Sequence, residues 1–206
     1  MTLLFDIGKV LLDFDFESSL RKLIPDDEPQ PDERLRKILG DKDAFERGDI
    51  PLDDYLAQAE RELGPAADRE TFIAAWRNIF TPNVPMWQVV EDLKAQGHRL
   101  LYFSNINPIH APWIFENYDV FRHFEGGTCS YLAKLIKPEP AIYRHVIETY
   151  GLTPAETLYI DDLPANIESG IAAGFQSHLY DLHRHDAFET WLSSHLQVPP
   201  QKNRAR

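Results

Sequence analysis

Two hydrophobic patterns divide the chain. In the first, short apolar runs end abruptly on polar residues. Leu3-Leu4-Phe5 ends at Asp6, with Gly8 just beyond. Leu100-Leu101-Tyr102-Phe103 ends at Ser104-Asn105, and Leu158-Tyr159-Ile160 ends at Asp161-Asp162. Such runs are too short for helices and predict buried strands. Gln176 to Leu179 predicts one more.

In the second pattern, apolar residues recur at helical spacing. Leu52 to Leu63 predicts a helix closed by Gly64, and Glu70 to Phe80 predicts another, with Phe72, Ile73, Trp76 and Phe80 on one face. Further helices are expected over Pro85–Gln96, Ala141–Tyr150 and Ala165–Ala173, with Gly97 and Gly174 as stops. Thr153-Pro154-Ala155-Glu156 has capping-box spacing and predicts at least one helical turn. Helical segments dominate from Asp15 to Asn83, whereas helices and strands alternate from Val84 onward. Alternation predicts an α/β fold, a Rossmann-like parallel sheet covered on both faces. The expected organisation is a core of residues 1–14 and 84–197, a helical insert of residues 15–83 after the first strand, and a disordered Pro-rich, basic tail over residues 198–206.

Composition narrows the partners. The 206 residues are 43% hydrophobic and 26% charged, ordinary for a globular chain, with a net charge of −12. That charge opposes nucleic acid and anionic lipid. It also requires a locally positive site for any anionic substrate. A single cysteine, Cys129, permits no intramolecular disulfide. No apolar stretch reaches the roughly 20 residues that span a bilayer, and the N-terminus lacks a signal-peptide pattern. A soluble cytoplasmic protein, monomeric or homodimeric, is expected.

The polar strand ends carry the candidate chemistry. In an open parallel sheet the ligand crevice lies beyond the carboxyl ends of the strands, so Asp6, Ser104-Asn105 and Asp161-Asp162 are expected to face one crevice. Asp6 has the chemistry of a nucleophile that attacks phosphorus. Asp161 and Asp162 repel one another and favour a nearby cation, and oxygen ligands suit Mg²⁺. Ser104 and Asn105 offer donors to a phosphate oxygen. Lys137, before Pro138, offers a charge that neutralises a transferring phosphoryl group. Taken singly each has a plainer reading: a turn residue for Asp6, an acidic helix start for the Asp pair, turn chemistry for Ser-Asn, a solvated surface group for Lys137.

Taken in order, the set resembles the haloacid dehalogenase superfamily of hydrolases. The residues that carry the resemblance are Phe5-Asp6-Ile7-Gly8-Lys9-Val10, Phe103-Ser104-Asn105, Lys137-Pro138-Glu139-Pro140 and Tyr159-Ile160-Asp161-Asp162-Leu163-Pro164-Ala165-Asn166. The match looks closest to a subgroup that includes α-glucose-1-phosphate phosphatases. The resemblance implies a Mg²⁺-dependent phosphatase acting on a small phosphorylated metabolite. Asp6 would be nucleophile and metal ligand, joined by the Gly8 carbonyl and Asp162, with Asp161 beside them. Ser104 and Lys137 would hold phosphate with support from Asn105, and Asn166 would brace the metal side. The insert would be a small α-helical cap.

One departure matters. Most phosphatases of the family carry a second Asp two residues after the nucleophile as general acid–base, and here Gly8 stands in that place. Such help is worth roughly 10²–10⁴-fold. An anomeric leaving oxygen, a shuttle through the cap, or Asp13 or Asp15 downstream would compensate. Lys9 is expected to point to solvent, Arg47 of the Phe45-Glu46-Arg47-Gly48 segment to contact substrate or pair with a carboxylate, and His183 and His185 to be solvated. Two rivals remain: a metal-free 2-haloacid dehalogenase, in which Asp6 attacks carbon, and a non-catalytic binding protein on the same fold.

Overall fold

The structure is a computed structural model that describes residues 1–64 and 68–196. The tail expected over residues 198–206 lies outside the described residues, as does Pro65 of the insert. Five parallel strands form the central sheet: β1 (Thr2–Phe5), β4 (Arg99–Ser104), β5 (Gly126–Cys129), β6 (Thr157–Asp161) and β7 (Gln176–Leu179), in the order β5-β4-β1-β6-β7. Alternation along β1 sends Leu3 and Phe5 to one face and Leu4 to the other. The first face is covered by α6 (Val84–Ala95), α7 (His110–Asn117) and α11 (His185–Leu196) through Met86, Val90, Ile114 and Phe188. The second is covered by α9 (Pro140–Tyr150) and α10 (Pro164–Ala172) through Ile142, Tyr143, Val146 and Ile167. Covering both faces is what makes the parallel strands continuously apolar in sequence.

A short antiparallel ribbon, β2 (Leu12–Phe14) with β3 (Phe80–Pro82), frames the excursion after β1. Between its strands lie α1 (Phe16–Leu20), α2 (Pro31–Leu39), α3 (Lys42–Arg47), α4 (Leu52–Leu63) and α5 (Arg69–Arg77). These helices bury their own cluster, centred on Trp76. Its indole stacks on Tyr55 and Phe45 at centroid distances of 5.1 and 5.9 Å, with Phe72 tilted against it at 5.2 Å.

Three expectations need correction. The helix predicted to Phe80 ends at Arg77, and Phe80 belongs to β3, paired with Phe14. Ribbon pairing outweighs helical propensity there. Thr153 makes no side-chain cap; Pro154–Glu156 is a single 3₁₀ turn, and Thr153 instead accepts the Thr157 hydroxyl through its carbonyl at 2.9 Å. The edge strand β5 was not anticipated, because Gly-Gly-Thr-Cys carries almost no hydrophobic signal. Gly127 is required by close approach: a Cβ there would lie 2.1 Å from the Tyr102 carbonyl oxygen.

The insert meets the core through named polar contacts. Arg47 forms a two-bond fork with Glu139, at 2.7 and 2.6 Å. The Ser130 hydroxyl donates to the Glu46 carbonyl at 2.5 Å and accepts the Ile106 N–H at 2.9 Å. Lys134 donates to the Gly48 carbonyl. His110 of α7 enters the insert's aromatic cluster, edge-on to Trp76 at 5.0 Å. Its Nε2 must donate to the Trp76 carbonyl at 3.0 Å, which leaves Nδ1 to accept from Asn107 at 3.1 Å. Burial pushes its pKa down to about 3, so the ring stays neutral at physiological pH.

Trp76→Ala should remove the centre of the insert's cluster at a cost of roughly 3–5 kcal/mol. Denaturant unfolding followed by near-UV circular dichroism would check this; a loss under 1 kcal/mol would show that the stack is not structural.

Candidate active site

The sheet register assembles the site. Phe5 pairs with Tyr102 on one side and Ile160 on the other, so the polar residues that follow these strands emerge side by side. The Asp6 N–H is still bonded to the Ile160 carbonyl at 2.9 Å, which holds its carboxylate at the last rung of the sheet. Asp6, Asp161 and Asp162 each place a carboxylate oxygen within 4.8 Å of the others.

Lys137 reaches this cluster from the loop before α9 and is 3% exposed. Its Nζ donates to Asp161 Oδ2 at 2.5 Å and to the Phe103 carbonyl at 2.8 Å. Nζ also lies 3.1 Å from Asp6 Oδ1. That approach is an ion pair. Asp6 Oδ1 is a buried carboxylate oxygen with no hydrogen-bond partner. Asn105 holds the lysine in place by a reciprocal pair: its Nδ2 donates to the Lys137 carbonyl and its Oδ1 accepts the Lys137 N–H, both at 2.9 Å.

Asp161 is fully buried and saturated. Oδ2 accepts from Lys137 and from the Tyr159 hydroxyl at 2.6 Å; Oδ1 accepts from the Leu163 N–H and from Asn166 Nδ2, each at 2.9 Å. Four donors leave it little capacity for a further ligand. Asp162, half-buried, is not so engaged. Burial pushes its carboxyl up to about 7, with the charges of Asp6 and Asp161 adding to the effect. Burial likewise pushes Asp6 up to about 6, while Lys137 pulls it down and Asp161 pushes it up. Burial opposes charge on Lys137 too, but Asp161 and Asp6 outweigh it and hold the ammonium above its ordinary pKa.

Ser104, at the end of β4, is buried beside this cluster. Gly8 sits in the turn after β1, forming an isolated bridge with Leu12. Asn166 acts on Asp161, as described. Two other candidates lie apart from the cluster. Asp13 is bound by Lys9 and by the Phe14 N–H at 2.8 Å. Partial burial would raise its pKa, but these bonds outweigh that and hold it below the usual range, the wrong direction for a general acid. Arg47 is engaged by Glu139 at the insert–core seam. Lys9 does not simply point to solvent. Its backbone is left-handed (φ 56°), and its ammonium folds back onto Asp13, the Phe14 carbonyl and the face of the Phe14 ring. His185 is not free in solvent either, since its Nδ1 meets the Tyr180 hydroxyl at 2.9 Å.

The residue set suits a divalent cation. Three convergent carboxylates face one lysine, one buried carboxylate oxygen has no hydrogen bond, and the donors are all hard oxygens. Tyr159 is the site residue that sequence reasoning did not assign. Its position two before Asp161 on β6 puts both side chains on the same face, the only available signal.

A family model for haloacid dehalogenase-like hydrolases matches residues 1–174. The chain belongs to that family. A sesquiterpene phosphatase of Aspergillus oryzae is 27% identical over 72% of this chain and 74% of its own length. A D-ribitol-5-phosphate phosphatase of Bacteroides thetaiotaomicron is 26% identical over 85% of this chain and 89% of its own. A haloacid dehalogenase-like enzyme from the same bacterium, solved with magnesium and inorganic phosphate, superposes with a TM-score of 0.75 at 26% identity, covering 88% of this chain and 94% of that one. A dehalogenase at 15% identity, with a TM-score of 0.61 over 85% of this chain and 82% of that one, shares the fold.

Two predictions follow from this haloacid dehalogenase-like site. Lys137→Met should leave Asp161 and Asp6 without their counter-charge and cost roughly 3–5 kcal/mol; an unchanged denaturation midpoint would contradict the assigned pairing. Without metal, the folded protein holds more protons than the unfolded chain between the ordinary carboxylate pKa of 3.8 and about 7. The contribution of Asp6 and Asp162 to stability therefore falls as pH rises through that window. Asp162→Asn should flatten this part of the melting-temperature profile. Mg²⁺ at about 100 times its Kd should stabilise the wild type by roughly 2.7 kcal/mol and the variant far less. Equal magnesium shifts in both proteins would remove Asp162 from the metal site.

Proposed function

We propose that this chain is a Mg²⁺-dependent phosphatase that moves phosphate from a small phosphorylated metabolite to Asp6 and then to water. It would act as a soluble cytoplasmic monomer or homodimer. Among the described residues, no helix is long and apolar enough to cross a membrane. The observation that carries the reading is the unbonded Asp6 oxygen, buried at the centre of a cluster that also holds Lys137 and Asp162. A buried carboxylate oxygen left without a hydrogen bond in that position is costly in a purely structural site and suited to a nucleophile or metal ligand.

The residues take distinct roles. Asp6 and Asp162, with the Gly8 carbonyl, hold the cation. When bound, Mg²⁺ neutralises charge on the phosphate oxygens. Asp161 engages no ligand directly; its four hydrogen bonds aim Lys137, Tyr159 and the loop that carries Asp162 and Asn166. Lys137 and Ser104 bind the phosphate, and Lys137 offsets the repulsion between an anionic nucleophile and an anionic substrate. Asn105 positions Lys137 through its backbone. Residues 15–83 form a cap over this end of the sheet, secured by the Arg47–Glu139 fork.

The phosphatase names of two relatives support this reading, as does the magnesium and phosphate in a solved relative. The subgroup resemblance makes glucose 1-phosphate the first substrate to test. The dehalogenase alternative leaves three convergent carboxylates facing the single positive charge of Lys137. A non-catalytic role leaves the unbonded Asp6 oxygen unexplained.

Asp6→Asn should lower hydrolysis of p-nitrophenyl phosphate at least about 10³-fold while the thermal transition stays cooperative, and EDTA should do the same to the wild type. Wild-type rates in the Asn variant, or halide release that survives EDTA, would defeat the proposal.

A further inference from the structure

The structure accounts for the position of Gly8. A Cβ built on Gly8 would lie 2.8 Å from Cε1 of Phe14 and 3.4 Å from its Cδ1. The space that a side chain at position 8 would enter is filled by an aromatic ring. That ring is held from several sides. Phe16 tilts against it at 4.8 Å, Phe80 meets it edge-on at 6.5 Å, and the Lys9 ammonium sits 4.6 Å over its face. The same ring, with Phe16, Leu35 and Leu39, lines a cavity of about 660 Å³ between the ribbon and α2.

The carboxylates nearest in sequence are committed elsewhere. Asp13 is bound by Lys9 and by the Phe14 N–H. Asp15 caps α1, accepting the Ser18 N–H at 2.9 Å, and the Ser18 hydroxyl and N–H together hold its exposed carboxyl below the usual range. The remaining candidate is Glu46, buried in α3 but paired with Lys42 at 2.8 Å. Burial raises its carboxyl, outweighing the downward pull of Lys42, so Glu46 is the alternative donor that substitution must exclude.

Resting on the phosphatase reading above, we infer that the Phe14 ring replaces the proton donor at this site, restricting the enzyme to phosphate esters whose leaving oxygen is stable as an anion. Aryl, enol and anomeric phosphates belong to this class; esters of simple alcohols do not. The bonds balance without an acid. Asp6 attacks phosphorus, the ester P–O bond breaks, and its electron pair leaves on the alcohol oxygen, which collects a proton from solvent afterwards. Water then attacks the aspartyl-phosphate and Asp6 departs as carboxylate; one water proton stays on the phosphate product and the other goes to solvent, replacing the one taken by the leaving oxygen.

The test measures kcat/KM with Mg²⁺ for aryl phosphates of graded leaving-group pKa, for an alkyl phosphate, and for glucose 1-phosphate against glucose 6-phosphate. The wild type should show a steep fall with leaving-group pKa, with the alkyl and 6-phosphate esters at least about 10²-fold below phenyl and 1-phosphate esters. Gly8→Asp alone should not raise the alkyl rate, because the Phe14 ring fills the space its carboxylate would enter. Gly8→Asp with Phe14→Ala should raise the alkyl rate about 10²-fold and flatten the profile. Glu46→Gln should leave the wild-type slope as it is.

A flat wild-type profile overturns the inference and needs no variant to fold. A steeper slope in Glu46→Gln, or full rescue by Gly8→Asp alone, overturns it as well. Absence of turnover on every ester would instead defeat the phosphatase reading beneath it.

Discussion

The site depends on one buried cation. Lys137 is surrounded by two carboxylates and a backbone carbonyl at the end of the sheet, where little water screens their charges. Without it, Asp6, Asp161 and Asp162 would face each other as unbalanced anions. With it, Asp161 spends all four of its acceptor positions on Lys137, Tyr159, Asn166 and the Leu163 N–H. Asp161 in turn braces the loop that bears Asp162, while Asp6 keeps one carboxylate oxygen free of hydrogen bonds.

The rest of the fold serves to bring these groups together. β1 lies at the centre of the sheet with β4 and β6 on either side, so strand ends more than 50 residues apart in sequence become neighbours. The insert returns to the core through the β2–β3 ribbon and is secured by Arg47–Glu139, Ser130 and Lys134. The ribbon has a second consequence. Its pairing sets Phe14 opposite Phe80 and turns its ring against Gly8, so the element that carries the insert also fills the space beside Gly8.

Much of this was legible in the chain. Apolar runs ending in Asp6, Ser104 and Asp161 mark strands because a doubly covered strand must be apolar throughout and becomes polar only where it leaves the sheet. Leu52–Leu63 and its Gly64 stop were readable because amphipathic period and glycine termination are local effects. Phe80 misled because its helical spacing from Phe72 and Trp76 says nothing about a ribbon partner 66 residues earlier. The edge strand β5 was illegible because its glycines answer to a neighbouring backbone and not to a hydrophobic face.

The sequence by itself determined the residue types of the site and their order, the α/β alternation and the helical insert, since each follows from local periodicity or from chemistry borne by single residues. Tertiary structure alone decided which carboxylate is saturated and which is free, that Asp13 and Lys9 satisfy each other, and that Phe14 occupies the space beside Gly8. Those outcomes depend on distances between residues from different strands and loops, and on burial, which sets how strongly neighbouring charges act. Neither quantity exists until the sheet has closed.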